Sequence, residues 1–86
     1  MPLYLIERSF ADKVSEDRET FAGIIQVNDE IGIQWLYSFL SADKRKTYCL
    51  YEAPSAEAIR LAAQRLKIPA DAIIEVSELR PNLPAA

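Results

Sequence analysis

The chain has 86 residues, half of them hydrophobic and 27% charged, so it is expected to be one soluble folded domain rather than a disordered segment. Thirteen acidic side chains against ten basic ones give a net charge of −3, which argues against nucleic acid, whose phosphates call for a Lys/Arg surplus. The single cysteine, Cys49, excludes an intrachain disulfide, and no apolar run reaches the roughly 18–20 residues of a membrane-spanning helix.

Leu3 to Phe10 begins with Leu-Tyr-Leu-Ile and turns polar at Glu7, Arg8 and Ser9, which predicts a strand with a polar far end. Met1-Pro2 leads into it with no basic n-region or apolar h-region, so the expectation is a cytoplasmic protein. Ser15 then reads as a helix N-cap, with Glu16 and Asp17 in the first turn where negative charge favours the helix dipole. Phe21, Ile24, Ile25, Asn28 and Ile31 recur at helical spacing, and Gly32 suits the position just past a helix end. The first helix is therefore expected from about Glu16 to about Glu30.

Ile33 to Leu40 alternates Ile33, Trp35, Tyr37 and Phe39 with Gln34, Leu36, Ser38 and Leu40, a strand with one aromatic and one mixed face. A polar turn, Ser41 to Lys46, joins it to a return strand, Thr47 to Glu52. A tight turn would place Ser38 near Cys49, and a slip of one residue would reverse that assignment. Pro54 and Ser55 start a second helix whose stripe is Ile59, Ala62, Ala63 and Leu66, and Pro69 stops it. Ile73 to Leu79 supplies the last strand, and Pro81 and Pro84 mark a short tail.

The order strand, helix, strand, strand, helix, strand is that of an α+β, ferredoxin-like βαββαβ sandwich: a four-stranded antiparallel sheet with two helices on one face. Residues 1–80 are assigned to that single domain and 81–86 to the tail. Such a sandwich leaves its second sheet face open. Large aromatics there are costly in water, and a core this thin gains from a partner, so a homodimer through the open face is expected.

There is no histidine, which excludes Ser-His-Asp and Cys-His catalysis and any imidazole metal site within the chain. With glycine only at Gly23 and Gly32, no glycine-rich phosphate loop exists either. What remains is a sheet-face cavity or interface with Trp35, Tyr37 and Tyr51 as walls. Ser38 and Cys49 would supply weak polar contacts there, and Glu7 and Arg8 charged groups at the edge. The ordinary reading of each is structural: cysteine and aromatics as core or interface, Glu7, Glu52 and Glu75 as rim carboxylates paired with Arg8 or Arg80, and Lys44-Arg45-Lys46 as a solvated turn.

Several segments in order, Leu3-Tyr4-Leu5-Ile6-Glu7-Arg8-Ser9-Phe10, Trp35-Leu36-Tyr37-Ser38-Phe39-Leu40, Asp43-Lys44-Arg45-Lys46-Thr47-Tyr48-Cys49-Leu50-Tyr51-Glu52-Ala53-Pro54, Glu57-Ala58-Ile59-Arg60 and Ile68-Pro69-Ala70-Asp71, carry a resemblance. Over about residues 2–79 the chain resembles a family of small bacterial proteins of unknown function related to a nickel-binding protein. The resemblance implies a ferredoxin-like fold, a dimer and, for some members, nickel. In that family pattern histidines stand where this chain has Tyr37 and Ala62. A phenol of pKa about 10 and a methyl group are poor nickel ligands, so the fold carries over and the metal does not.

The leading expectation is a non-enzymatic, dimeric, small-ligand-binding domain without a cofactor. The alternatives are a cofactor-free oxygenase or isomerase of the dimeric α+β type, with Glu7 or Tyr37 as acid or base, and a metal site built from carboxylates or Cys49.

Overall fold

Alternation along the strands and capping at the helix ends build the architecture in the computed structural model, which describes residues 1–82. In chain order the elements are β1 (Leu3–Ser9), α1 (Arg18–Ile31), β2 (Gln34–Leu40), β3 (Lys46–Glu52), α2 (Ala56–Leu66) and β4 (Ala72–Val76). The four strands form one antiparallel sheet in the order β2-β3-β1-β4. No described helix is long and apolar enough to cross a membrane. The expected tail lies mostly outside the described residues.

The two central strands alternate strictly. Tyr4, Ile6 and Arg8 of β1, and Thr47, Cys49 and Tyr51 of β3, are buried, while the residues between them are half-buried. The buried set faces the helices. There Ile59 and Ala62 of α2 join Ile6, Cys49, Tyr51 and Ile33 in one core, with Val27 and Ile31 of α1 packed against it. The α2 stripe is as the spacing predicts. The α1 stripe is rotated slightly: Val27 packs inward and Ile25, on the flank, is half exposed. Arg65 of α2 bridges to Glu30 of α1 at 2.5 Å.

Helix α1 starts two residues later than the expected Glu16. Its N-cap is Asp17, not Ser15. The Asp17 carboxylate accepts from the Thr20 amide at 2.8 Å and the Thr20 hydroxyl at 3.0 Å, and Ser15 donates to it at 2.7 Å. A carboxylate is the stronger acceptor for amides at a helix start, so the hydroxyl becomes its support. The Thr20 amide first, then the hydroxyls, hold the Asp17 carboxyl below the usual carboxylate range. Gly32 closes the helix in the left-handed region, at φ 88°.

The open face of the sheet is apolar and in register. Tyr37 pairs with Leu50, Leu50 lies across from Leu5, and Leu5 from Ile74, one residue per strand. Tyr37 (51% exposed), Phe39 (64%) and Ile74 (52%) are the large hydrophobics that stand out of it.

Candidate functional site

The connection between β1 and α1, residues 10–17, is fastened to the turn between β2 and β3. The Phe10 amide donates to the Arg45 carbonyl at 2.8 Å and the Val14 amide to the Lys44 carbonyl at 2.7 Å. Arg45 returns a bond to the Ala11 carbonyl at 3.2 Å, and Lys44 pairs with Glu16 at 3.4 Å. The Lys44-Arg45-Lys46 run is therefore a brace as well as a solvated turn. Between this connection, the first turns of α1 and the sheet lies a cavity of about 550 Å³. Its wall includes Phe10, Val14, Phe21 and Ile24, and its floor is Arg8, Trp35, Ser38, Thr47, Cys49 and Tyr51.

The floor depends on a β-bulge. Trp35 pairs with Tyr51 but Tyr37 pairs with Leu50, so Leu36 is an extra residue in β2. The insertion breaks the period of two. Trp35 consequently shares the helix-side face with Ser38, and its indole Nε1 donates to the Ser38 hydroxyl at 2.8 Å. The rings then run in series. Phe21 meets Trp35 edge-on at 5.5 Å, Trp35 stacks parallel to Tyr51 at 6.5 Å, and the Arg8 guanidinium lies 5.9 Å from the Tyr51 ring centroid.

Arg8 is buried, 4% exposed, although it is charged. Its Nη1 donates to the Pro69 carbonyl at 2.5 Å. No described carboxylate lies within ion-pair distance: Glu7 pairs with Lys46 at 2.7 Å and Arg80 with Glu78 at 3.0 Å. The expected pairing of rim carboxylates with Arg8 is corrected accordingly, because Glu7 and Arg8 point to opposite faces of β1. Burial pushes the Tyr51 phenol above its ordinary value, against the opposing pull of Asn28 and the Arg8 charge. Asn28 donates to the Tyr51 hydroxyl at 3.4 Å, and its Oδ1 is buried without a partner. Cys49 is buried, its thiol 3.5 Å from the Thr47 hydroxyl.

Of the seven residues expected to share the open face, the structure brings together five, on the other side. Arg8, Trp35, Ser38, Cys49 and Tyr51 line the cavity beneath α1 and its entry segment. Glu7 and Tyr37 stand on the open face, Glu7 engaged with Lys46 and Tyr37 edge-on to Phe39 at 5.8 Å. The pairing of Ser38 with Cys49 is as expected from a tight turn. Missed were Thr47, which the alternation with Cys49 and Tyr51 does signal, and the loop residues of the wall, which no periodicity marks.

The sequence model of the family described as "Nickel responsive protein SCO4226-like" matches residues 4–76. This chain belongs to the SCO4226-like family. The crystal structure of SCO4226 from Streptomyces coelicolor A3(2) superposes with a TM-score of 0.77, at 21% sequence identity, over 91% of this chain and 99% of that one. That likeness shows the fold. A search of curated proteins returned no match.

The nickel in the SCO4226-like family description finds no fitting donor set in this member. The chain has no histidine, and among the described residues no three Cys, Asp or Glu side chains gather closely enough to hold an ion. Tyr37 and Ala62, the positions for which the resemblance implied histidines, lie on opposite sides of the sheet, Tyr37 exposed and Ala62 in the helix-side core. Within one chain those two positions cannot share a ligand.

Proposed function

We propose that this SCO4226-like protein is a non-enzymatic domain that holds a small organic ligand in the cavity beneath the β1–α1 connection and pairs as a homodimer through its open sheet face. The observation that carries the ligand reading is the cavity itself. About 550 Å³ falls within the range of small-molecule sites, and an apolar enclosure with a few fixed polar groups is their usual make-up. Trp35 and Tyr51 supply flat apolar walls, and Arg8, Ser38 and Thr47 supply the polar points. The dimer reading rests on the row Tyr37, Leu50, Leu5 and Ile74, an apolar strip across all four strands. The acidic balance of the chain speaks against nucleic acid, and a lone buried thiol suits a reducing, cytoplasmic setting.

Catalysis is the weaker reading. Glu7 and Tyr37, the acid and base candidates, are on the opposite face from the cavity, so neither reaches a molecule inside it. The ligand is taken as organic rather than nickel because the donor set lacks imidazole.

Native mass spectrometry of untagged protein, purified without chelator, tests the reading. The expected spectrum is a dimer that carries a non-metal adduct released by denaturation. A monomer across micromolar dilution would overturn the dimer. A stoichiometric nickel mass that survives exchange into metal-free buffer would overturn the organic ligand.

A further inference from the structure

Among the described residues Arg8 is the one charged side chain that is buried, and no acid answers it. A guanidinium removed from water without a counter-charge is expensive. It offers five N–H donors in a planar fork, and the Pro69 carbonyl takes one. Asn28 Oδ1 is the buried polar side-chain atom left without a partner, so no Arg8 nitrogen is both sealed from solvent and unbonded. Arg8 lines the cavity, so a donor left over from the Pro69 bond has the cavity as the place to find an acceptor. The Tyr51 ring beside it and Pro69 above it fix the fork in place, which makes it a preformed cation rather than a mobile one.

We infer that the cavity selects a small monoanion with a flat apolar body, an aryl-substituted carboxylate, whose carboxylate pairs with the Arg8 guanidinium while its ring lies along Trp35 and Tyr51. This rests on the reading of the cavity as a ligand site. Arg–carboxylate pairs form two parallel bonds, and the planar fork matches them. The charges at the rim do not oppose this. Glu16 is paired with Lys44, and Asp12 is adjacent to Lys13, so the rim is close to neutral and the floor is positive.

The test uses 3-phenylpropanoate and its neutral isostere 3-phenylpropanamide, with the fluorescence of Trp35, the chain's single tryptophan, as the reporter and calorimetry as the check. The acid is expected to bind at least about tenfold more tightly than the amide, as a charge-assisted hydrogen bond implies. Arg8→Met, which keeps the length of the stem, is expected to remove that preference, and Arg8→Lys to leave part of it. The comparison of acid with amide on the unaltered protein needs no variant to fold. Equal binding of acid and amide would overturn the Arg8 anchor and leave the cavity as a ligand site. Binding of neither would overturn both.

Discussion

The indole of Trp35 reaches the hydroxyl of Ser38 at 2.8 Å, three residues along the same strand, across an inserted Leu36. In an unbroken strand residues three apart point to opposite faces. The bond therefore reports the bulge directly, and it holds the largest ring of the floor in place. Removing the hydroxyl leaves a part-buried N–H without its acceptor. Ser38→Ala is expected to lower stability by about 1 kcal/mol in chemical unfolding and to shift the Trp35 emission maximum. Unchanged emission would show that the bond does not orient the ring.

The two glycines predict effects of opposite sign. Gly32 sits at φ 88° and a Cβ there meets no atom within 4 Å, so the cost of Gly32→Ala is conformational alone, about 1–2 kcal/mol. Gly23 lies inside α1 and is exposed, again with open space for a Cβ. Gly23→Ala is expected to stabilise by about 0.5–1 kcal/mol. Urea titration of both variants checks the pair, and equal signs would contradict the cap assignment.

On the open face, Phe39 is 64% exposed and faces away from the core. Phe39→Glu is expected to change the stability of the isolated fold by no more than about 0.5 kcal/mol, as other surface changes do. In sedimentation velocity it is expected to convert the proposed dimer to monomer, since the carboxylate would be buried without a partner. A dimer that persists would place the interface elsewhere.

Tyr51 makes alkaline stability informative. Its phenol titrates above the ordinary value, chiefly because of burial. Above about pH 10 the unfolded chain gives up a proton that the folded chain keeps, so stability falls as pH rises. The contribution is complete below the unfolded value and is lost through the folded one. Tyr51→Phe is expected to flatten this part of the pH profile, measured as unfolding free energy between neutral and strongly alkaline buffer. An unchanged slope would show that another group carries it.

The architecture was open to reading because local signals agreed with it. The Tyr4-Ile6-Arg8 and Thr47-Cys49-Tyr51 alternations, the Ile59-Ala62-Ala63 stripe and the Gly32 cap each fit a single element. The site was less open. Periodicity groups Trp35 with Tyr37, and the bulge separates them, because one extra residue reverses every later side chain of β2. Arg8 looked like an edge charge because sequence shows a residue type and not its partner. Its burial follows from its place in the Tyr4-Ile6-Arg8 series, where the alternation outweighed the charge. The cavity wall at residues 10–17 depends on bonds to Lys44 and Arg45, some thirty residues away, which no local pattern announces.

The Leu36 insertion lies on β2, an outer strand of the sheet. An outer strand carries a free row of amides and carbonyls along which a further chain could add, and repeated addition leads to fibres. A bulge spoils that template, because the incoming strand would have to carry a matching irregularity to keep its own ladder. The residue that turns Trp35 inward is therefore also expected to discourage strand addition along this edge, and deletion of Leu36 is expected to speed aggregation.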